Sequence, residues 1–538
     1  MPPYNYQLLL KHILESGVQW APEQKIYYRD IWEYTYAEMY QRVLKLAGAL
    51  QSIGVKMGTR VGIIEWDSHR YLEMYFAVPG IGAIMHTINP RLAPADVAYT
   101  ILHAEDEVLI FHEDFLPLVE KLRPNLSTVR KYILITDKPE PPDTPLADVD
   151  YETFLNSATP LSELPEFDEN TQATLAYTTG TTGKPKGVYF SHRQMVLHTL
   201  AEGVAVGTMA DFGGVTKQDV YMPLTPLFHV HGWGVPYTLT LMGAKQVYPG
   251  RYEPQMLVKL ILTHKVTFSH CVPTILQMVV DAPGIDKINF NGWKVIIGGA
   301  RLTKGLAQRA RQLGINVYAG YGMSETAPLL TLAMLRPTMT GLSDEEQLDY
   351  LIKTGVPVPL VKLRVVNANG QEVAHDGKEQ GEIQVRTPWL TPGYLNDPER
   401  SAALWEGGWL HTGDVAVIDP QGYIQIVDRL KDVIKSGGEW ISSLELENLL
   451  SLHPKVSEAA VIGIPDEKWG ERPLAIIVPR DEAPTPEELQ AHLARYAEEG
   501  AITKWAIPEH YRFVESLPKT SVGKIDKKAL RAQFGVTQ

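Results

Sequence analysis

The chain has 538 residues, a length that exceeds a single hydrophobic core and predicts two or more domains. Hydrophobic residues make up 44% of the chain and charged residues 21%, which excludes a disordered or fibrous protein. The formal net charge of -13 argues against a general nucleic-acid binder, because neutralising phosphates needs clustered lysine and arginine. We therefore predict a globular multidomain protein that meets any polyanion at a local basic site.

Cysteine content and the N-terminal residues bear on the cellular compartment. The single cysteine, Cys271, excludes an internal disulfide and a cysteine-rich metal site, and it fits a reducing compartment. Its apolar neighbours predict a buried thiol. The N-terminus lacks the basic start and apolar stretch of a signal peptide, and no apolar run is long enough to span a bilayer. We predict a cytoplasmic protein without an integral membrane segment.

Helical and strand patterns alternate along the first part of the chain. Thr35 and Glu38 form a capping box, and apolar residues then recur at helical spacing as far as Gly54. A strand, two helices and another strand are predicted next, at 61–64, 71–78, 96–102 and 108–111. This alternation predicts an α/β fold with largely parallel strands.

The middle of the chain continues the α/β rhythm and then changes character. The apolar segments 294–297 and 316–318 each run into glycine or small polar residues, which is typical of strand ends that face a ligand crevice. Short alternating strands broken by glycine and proline follow, at 362–366, 382–386 and 423–427. These strands predict a smaller β-rich subdomain.

A compact unit of helices and strands ends the chain. A helix is predicted from Ser443, strands at 459–464 and 474–478, and a second helix opened by a capping box of Thr485 and Glu488. The change of pattern places a domain boundary near residue 430.

A loop rich in hydroxyls, glycines and lysines follows the predicted strand 175–177. The ten residues from Thr178 to Gly187 contain four threonines, three glycines and two lysines. Glycines let backbone amides approach phosphate oxygens, hydroxyls add donors or a magnesium ligand, and lysine neutralises charge. Pro185 stands where the Walker pattern requires serine or threonine, which disfavours a P-loop kinase or GTPase. Taken alone, the loop fits a nucleotide triphosphate or a flexible polar turn equally well.

Five motifs in order resemble the signature of the adenylate-forming superfamily of acyl-CoA synthetases, luciferases and peptide-synthetase adenylation domains. They are Thr178–Gly187, Gly320–Thr326, Trp409–Asp414, Asp428–Asp432 and Pro518–Lys524. The resemblance covers nearly the whole chain, and Thr179 keeps a hydroxyl where many relatives carry serine. It implies an enzyme that uses ATP and Mg²⁺ to make an acyl adenylate and then passes the acyl group to coenzyme A.

The resemblance implies catalytic roles for Lys524, Glu325 and Thr181. Lys524 is the implied cation between the carboxylate and the α-phosphate, where two anions must meet. Thr181 and Glu325 are the implied magnesium ligands, because this ion prefers oxygen. Tyr321 is expected against adenine, with Asp414 and Arg429 on the ribose. The implied ATP- and AMP-binding residues are Thr178, Thr179, Gly180, Thr181, Thr182, Gly183, Lys186, Gly299, Gly320, Tyr321, Ser324, Thr326, Asp414, Arg429, Lys431, Lys435 and Trp440.

The second half-reaction is expected to use a different arrangement of the same chain. Relatives rotate a small C-terminal domain about a hinge that matches Lys431, which would withdraw Lys524 from the site. The implied coenzyme A residues Ser436, Gly437 and Gly438 would then line the tunnel for the pantetheine arm. The fold predicted on this basis is an α/β N-terminal adenylation domain of mixed and parallel sheets with a β-rich subdomain, a hinge linker and a mobile α+β C-terminal domain, at 1–427, 428–433 and 434–538.

The choice of acid is predicted from two further segments. The segment Pro226–Trp233 resembles the lining of an acyl pocket, and Trp233 stands where fatty-acyl members carry an aromatic gate. The run Lys435–Ser442 resembles the medium- and long-chain fatty-acyl branch. Ordinary core packing is the alternative for any one of these aromatic side chains. The implied acyl-binding residues are His229, Val230, Trp233, Gly298 and Ala300.

These features predict a fatty acid CoA ligase with small-molecule substrates, no nucleic acid partner and, as in many fatty-acyl relatives, a homodimer. A stand-alone adenylation enzyme that loads an aryl or amino acid onto a carrier protein stays open. Amino-acid members usually place an aspartate in the pocket, and the segment 229–233 has none. A non-enzymatic descendant of the fold is disfavoured because Thr181, Glu325 and Lys524 are all present.

Overall fold

The computed structural model of the chain describes residues 4–178, 184–209, 214–339, 341–436, 439–519 and 525–535. The strands, in chain order, are β1 Lys25–Tyr28, β2 Trp32–Thr35, β3 Arg60–Ile64, β4 Ile84–Thr87, β5 Val108–His112, β6 Lys131–Ile135, β7 Val149–Asp150, β8 Gln172–Thr178, β9 Lys186–Ser191, β10 Val220–Tyr221, β11 Lys245–Tyr248, β12 Phe268–Cys271, β13 Trp293–Ile297, β14 Ile315–Gly322, β15 Leu329–Leu332, β16 Val356–Pro357, β17 Lys362–Val366, β18 Gly381–Arg386, β19 Leu410–Ile418, β20 Ile424–Arg429, β21 Ile434–Ser436, β22 Glu439–Ile441, β23 Val456–Asp466, β24 Gly470–Pro479 and β25 His510–Phe513.

The α-helices, in chain order, are α1 Leu10–Trp20, α2 Tyr36–Ser52, α3 His69–Gly80, α4 Pro94–Ala104, α5 Leu116–Leu122, α6 Tyr151–Leu155, α7 His192–Gly207, α8 Val235–Met242, α9 Pro254–His264, α10 Pro273–Val280, α11 Lys304–Gln312, α12 Asp344–Leu351, α13 Pro398–Leu404, α14 Ser443–Ser451, α15 Pro486–Glu498 and α16 Lys527–Phe534. In the part of the chain that the structure describes, no helix combines the length and apolarity needed to cross a membrane.

Two large sheets dominate the N-terminal part of the molecule. One has seven strands in the order β7-β6-β5-β3-β4-β8-β9, all parallel except the β8–β9 hairpin. The other has nine strands in the order β16-β15-β14-β13-β12-β10-β11-β1-β2, with a parallel centre and antiparallel edges. Parallel strands that are buried on both faces have largely apolar sequences, and the fully buried β13 is an example. The predicted α/β class with largely parallel strands is confirmed.

Two smaller sheets follow along the chain. The strands β17-β18-β19-β20 form an antiparallel sheet, which confirms the predicted β-rich subdomain. The last sheet pairs β22-β21-β24-β23, with β25 parallel to β24, and α14 and α15 share a core with it. This sheet with its helices is the predicted α+β unit.

Local sequence signals located several element ends correctly. The capping boxes at Thr35 and Thr485 are both formed, with each threonine side chain accepting from the backbone of the glutamate three residues later.

Cys271 is buried, as its neighbours predict. Strand β20 extends through Arg429, so the first two residues of the predicted linker 428–433 belong to a strand of the β-rich sheet.

Candidate active site

The candidate site residues gather where strands of the two large sheets end. Strand β8 ends at Thr178 and β9 begins at Lys186, while the intervening predicted phosphate-binding residues 179–183 lie outside the described residues. In the other large sheet, β13 ends just before Gly298, and its neighbour β14 carries Gly320 and Tyr321. Ligands of parallel α/β sheets bind beyond the carboxyl ends of the strands, so this edge is the expected crevice.

Tyr321, Asp414 and Arg429 form one hydrogen-bonded group. Tyr321 Oη donates to Asp414 Oδ2 at 2.7 Å, and Arg429 Nε lies 2.9 Å from Asp414 Oδ1. Asp414 and Arg429 are direct cross-strand partners on β19 and β20. Burial, together with the Asp414 carboxylate, raises the pKa of Tyr321 well above its usual value, and the same carboxylate raises the pKa of Arg429. The phenol therefore stays neutral and the guanidinium stays charged.

The Thr412 hydroxyl holds the backbone of Asp414 in place. Thr412 Oγ1 accepts from the Asp414 backbone N–H at 3.1 Å and donates to the Ile383 carbonyl at 2.8 Å. The Asp414 side chain is only 4% exposed, whereas that of Arg429 is 44% exposed. A buried acceptor beside a half-exposed cation suits a ligand hydroxyl approaching from the crevice.

Glu325 lies in a short 3₁₀ turn, Ser324–Thr326, directly after the motif on β14. Its carboxylate is buried and accepts from Tyr394 Oη at 2.8 Å, while its backbone carbonyl accepts from Thr391 N–H at 2.9 Å. Thr326 is fully buried and closes the turn, because its hydroxyl and the Met323 N–H are 3.1 Å apart. These bonds hold the carboxylate in one position.

Lys186 lies beside Glu325 because Tyr394 contacts both. The Lys186 Nζ is 4.3 Å from the centre of the Tyr394 ring, whose hydroxyl bonds Glu325. Partial burial lowers the pKa of Lys186, and the Glu325 carboxylate acts in the opposite direction. The Leu395 N–H donates to the Gly187 carbonyl at 2.8 Å, and this bond connects the loop that carries Tyr394 to the β8–β9 hairpin. Tyr394 lies outside the five motifs, so the sequence did not predict its place in the site.

The residues from Val230 to Gly234, which we call the acyl turn, form a left-handed turn. The φ angles of Val230, His231 and Trp233 are 46°, 59° and 61°, and Gly232 and Gly234 are also positive. A left-handed conformation costs roughly 1–2 kcal/mol for each residue with a Cβ atom. Strain of this kind persists where surrounding contacts impose it, and such places are often functional sites.

The Trp233 indole lies against the carboxyl end of β13. A methyl group added at Gly298 would be 2.8 Å from Trp233 Cη2, so the indole packs directly on the Gly298 backbone. The indole also contacts His270, with ring centres 5.2 Å apart. His270 Nε2 is 2.8 Å from Tyr221 Oη. The aromatic side chain predicted as a gate therefore lies against a predicted acyl-site glycine.

Two buried side chains that the sequence did not identify hold the start of the predicted acyl-pocket segment, Pro226–Trp233. The Leu227 backbone N–H donates to Asp67 Oδ1 at 2.8 Å, and the Leu227 carbonyl accepts from Tyr75 Oη at 2.6 Å. Asp67 Oδ2 also accepts from Tyr252 Oη at 2.5 Å. Burial raises the pKa of Asp67 to about 7. Both polar groups of the Leu227 backbone are thus fixed by side chains from helix α3 and from the loop that precedes it.

The other predicted residues divide into those that join this site and those that do not. Gly299 has a positive φ directly after Gly298, and Ala300 follows it. The backbone N–H of His229 donates to the Pro226 carbonyl at 2.9 Å, just before the acyl turn. Ser436 is buried at the end of β21, its hydroxyl has no hydrogen-bond partner among the described residues, and Lys435 is exposed beside it. Lys524, Thr179, Gly180, Thr181, Thr182, Gly183, Gly437, Gly438 and the side chain of Trp440 lie outside the described residues.

Comparisons with known proteins decide the family. The profile of the AMP-binding enzyme family matches residues 15–395, and that of the AMP-binding enzyme C-terminal domain matches residues 445–524. This chain belongs to the AMP-binding enzyme family. The resemblance inferred from the five motifs is confirmed.

Several CoA ligases resemble this chain over nearly its full length. A long-chain-fatty-acid–CoA ligase from Thermus thermophilus is 46% identical, covering 93% of this chain and 90% of the relative. A 3-methylmercaptopropionyl-CoA ligase from Ruegeria lacuscaerulensis is 40% identical, covering 93% of this chain and 91% of the relative. The crystal structure of the anthranilate CoA ligase AuaEII with anthranoyl-AMP has a TM-score of 0.86 at 26% identity, covering 99% of this chain and 98% of that one.

The geometry of this AMP-binding enzyme separates a polar region from an apolar one. Glu325 and Lys186 lie next to the predicted phosphate loop. Tyr321, near the end of β14, bonds Asp414 on β19. Trp233 covers the end of the adjacent strand β13. Such an arrangement can hold an anionic, hydroxyl-bearing ligand on one strand and an apolar group on the next.

Proposed function

We propose that this chain is an AMP-forming fatty acid CoA ligase that takes a medium- or long-chain acid, ATP and coenzyme A. The observation that carries the proposal is the adjacency of β13 and β14, since one ends under an indole and the other carries the Tyr321 bond to Asp414. An acid carboxylate over Gly298 would then face a nucleotide over Tyr321. The two relatives reported above are both CoA ligases, which supports the thioester product.

The proposed reaction has two displacements. An oxygen of the acid carboxylate attacks the α-phosphorus of ATP, and pyrophosphate leaves with the electron pair of the broken P–O bond. The deprotonated thiol of coenzyme A then attacks the acyl carbon of the adenylate, and AMP leaves. AMP therefore retains the oxygen that attacked phosphorus.

We assign the polar residues to the nucleotide. Asp414 would accept from the ribose hydroxyls, with Arg429 beside it as a second ribose partner, because a buried carboxylate and a half-exposed guanidinium meet there. The Tyr321 ring would lie on adenine. Lys186 would neutralise phosphate charge from its position on Tyr394, and Lys524 would bridge the carboxylate and the α-phosphate.

The residues present fit a magnesium ion that is bound mainly by substrate phosphates. Mg²⁺ in such sites uses one or two carboxylates together with phosphate oxygens and water. Glu325 offers one buried carboxylate near the β8–β9 hairpin, and the described residues contain no cluster of three or more histidine, cysteine, aspartate or glutamate side chains that could hold a metal. Glu325, with the predicted Thr181 hydroxyl, would hold the ion, which when bound offsets the charge on the phosphates.

We also propose that residues 434–538 rotate relative to residues 1–427 between the two half-reactions, with 428–433 as the hinge. Rotation about Lys431 would break the ion pair between Arg301 and Glu445, whose Nη1 and Oε2 atoms are 2.9 Å apart. It would also move Ser436 with β21. The predicted coenzyme A residues lie on this moving side.

The proposal is tested by mass spectrometry of the products from ATP, Mg²⁺, coenzyme A and a panel of acids. The panel runs from acetate through octanoate to palmitate, with benzoate, anthranilate and amino acids included. We expect acyl-CoA and AMP to appear together for aliphatic acids of about eight or more carbons. The acid with the highest rate then identifies the preferred chain length. ADP in place of AMP, or aminoacyl adenylates without any thioester, would replace the proposal with another ligase or with a carrier-loading enzyme.

Trp233→Ala is expected to change the chain-length profile of the same panel. Removing the indole opens the end of β13 at Gly298, so longer or bulkier acids should gain relative to the preferred one. The shift should be about 10-fold or more in relative kcat/KM, since one extra methylene group in an apolar pocket is worth about 1–3 kcal/mol. Trp20→Ala, at an exposed tryptophan remote in sequence, is the control. An unchanged profile with lowered stability would mean that Trp233 is only a packing residue.

The homodimer stays a prediction from the resemblance, and the cytoplasmic location stays a prediction from the cysteine content and the N-terminal sequence. Sedimentation velocity of the purified protein measures the first directly.

A further inference from the structure

His198 is a buried histidine on α7 that none of the predicted roles uses. It is 1% exposed, and burial lowers the pKa of its ring to about 3, so the ring is neutral. Its Nε2 accepts from the Leu329 backbone N–H at 3.2 Å. Leu329 begins β15 directly after the turn that carries Glu325. His198 therefore holds the end of the segment 320–329, which we call the nucleotide loop.

The Cε1 and Nδ1 atoms of the same ring support the acyl turn. A methyl group added at Gly234 would lie 2.6 Å from His198 Cε1 and 2.7 Å from its Nδ1, so only glycine fits against the ring. The Ala327 carbonyl oxygen would be 3.6 Å from the same added methyl group. Gly234 thus packs between the imidazole and the nucleotide loop.

Helix α7 holds the acyl turn and the following helix at a second point. Glu202 lies one helical turn after His198, and its Oε2 accepts from Thr238 Oγ1 on α8 at 2.5 Å. Residues four apart on a helix share a face, so both polar side chains point at the unit formed by the acyl turn and α8. The Trp389 ring also packs against His198 in an edge-to-face arrangement, with ring centres 5.6 Å apart. The imidazole has close neighbours on several sides and little space to move.

We propose that His198 is a positioning residue that couples the nucleotide loop to the acyl turn, so that binding of nucleotide changes the affinity for the acid. The inference rests on the proposed function, because it assigns those two segments to the two ligands. Protein interiors are close-packed, so a shift of Leu329 on nucleotide binding must displace the ring or carry Gly234 with it. By linkage, the acid changes nucleotide affinity by the same factor.

The test measures acid binding by calorimetry with and without α,β-methylene-ATP and Mg²⁺, using the acid that the wild type converts fastest. This analogue cannot release pyrophosphate, so binding is observed without reaction. The wild type should show a coupling factor of about 10, within the range common for linked sites. His198→Leu removes the acceptor and should bring the factor close to unity. His198→Gln, which keeps an acceptor for Leu329, should restore most of it.

His192 provides a matched control on the same helix. It is also fully buried, burial also lowers its pKa to about 3, and its Nδ1 accepts from the Leu10 backbone N–H at 3.1 Å. His192→Leu should lower the melting temperature, as His198→Leu does, and leave the coupling factor unchanged. If His198→Leu does not fold, His198→Asn, whose amide is too short to reach both neighbours, carries the same expectation.

Two outcomes would overturn the inference. One is a folded His198→Leu or His198→Asn variant with wild-type coupling, and the other is an equal loss of coupling in His192→Leu. Failure of the proposed function is distinguishable, because the wild type would then produce no acyl-CoA and AMP in the product assay.

Discussion

Lys524→Ala is expected to slow acyl-adenylate formation by on the order of 100-fold or more, since it removes a donor that stabilises charge in the transition state. The lysine lies outside the described residues, but the backbone on both sides of its loop is paired. Lys519 and Ile525 form an antiparallel bridge, and the Asp526 N–H donates to the Pro518 carbonyl at 2.8 Å. The predicted catalytic loop is therefore anchored at both ends.

Two measurements separate the proposed role of Lys524 from a general loss of function. Pyrophosphate release reports adenylate formation, and thioester formation from supplied acyl adenylate reports the second step. We expect the first to fall and the second to survive, because rotation of the C-terminal domain would already have withdrawn Lys524. Lys528→Ala, at an exposed lysine four residues later, should change neither rate. Equal loss of both steps in Lys524→Ala would count against two conformations.

Glu325→Gln is expected to lower the rate of adenylate formation by about 100-fold, the usual loss when one electrostatic group of an active site is removed. Glutamine has the same shape and can still accept the Tyr394 hydroxyl, so folding should be little affected. The substitution removes the negative charge beside Lys186 and the proposed magnesium ligand. The rate should therefore require a higher Mg²⁺ concentration for half-saturation.

Tyr394→Phe is the matched control for the Glu325 substitution. It removes the hydrogen bond at 2.8 Å but keeps the carboxylate and the ring face for Lys186. We expect a loss of activity of about 10-fold, because a hydrogen bond to a charged group contributes about 1.5 kcal/mol at the low end of its range and the carboxylate keeps its charge. A titration of rate against Mg²⁺ for both variants checks this. A Glu325→Gln enzyme with wild-type rate and wild-type Mg²⁺ dependence would remove Glu325 from the proposed mechanism.

Local chemistry made part of the fold predictable. The capping boxes at Thr35 and Thr485 fix helix starts through bonds between residues three apart, and the sequence alone reports such contacts. The strand 362–366 was predicted with its observed bounds, because glycine and proline turns delimit it. Strand β20 was predicted too short, since no turn residue marks its end at Arg429.

The candidate site was predictable only where residues carry a motif. Tyr321, Glu325, Asp414 and Arg429 were found in this way, and the structure brings Tyr321, Asp414 and Arg429 together. Asp67 and Leu227 are 160 residues apart and lie in loops that follow strands of different sheets, so no local pattern links them. His198 presents the same difficulty. A buried histidine on a helix is expected to be a packing residue, and only the structure shows its contacts with Leu329 and Gly234.

The central claim, that the acid is activated as an adenylate, is tested most directly by following oxygen from the acid. A preferred acid labelled with ¹⁸O in both carboxylate positions is incubated with ATP, Mg²⁺, coenzyme A and the wild-type protein. The masses of the AMP and pyrophosphate that form are then measured by mass spectrometry. We predict that each AMP carries one labelled oxygen and that pyrophosphate carries none. Labelled inorganic phosphate with ADP, or unlabelled AMP alongside the thioester, would contradict the account.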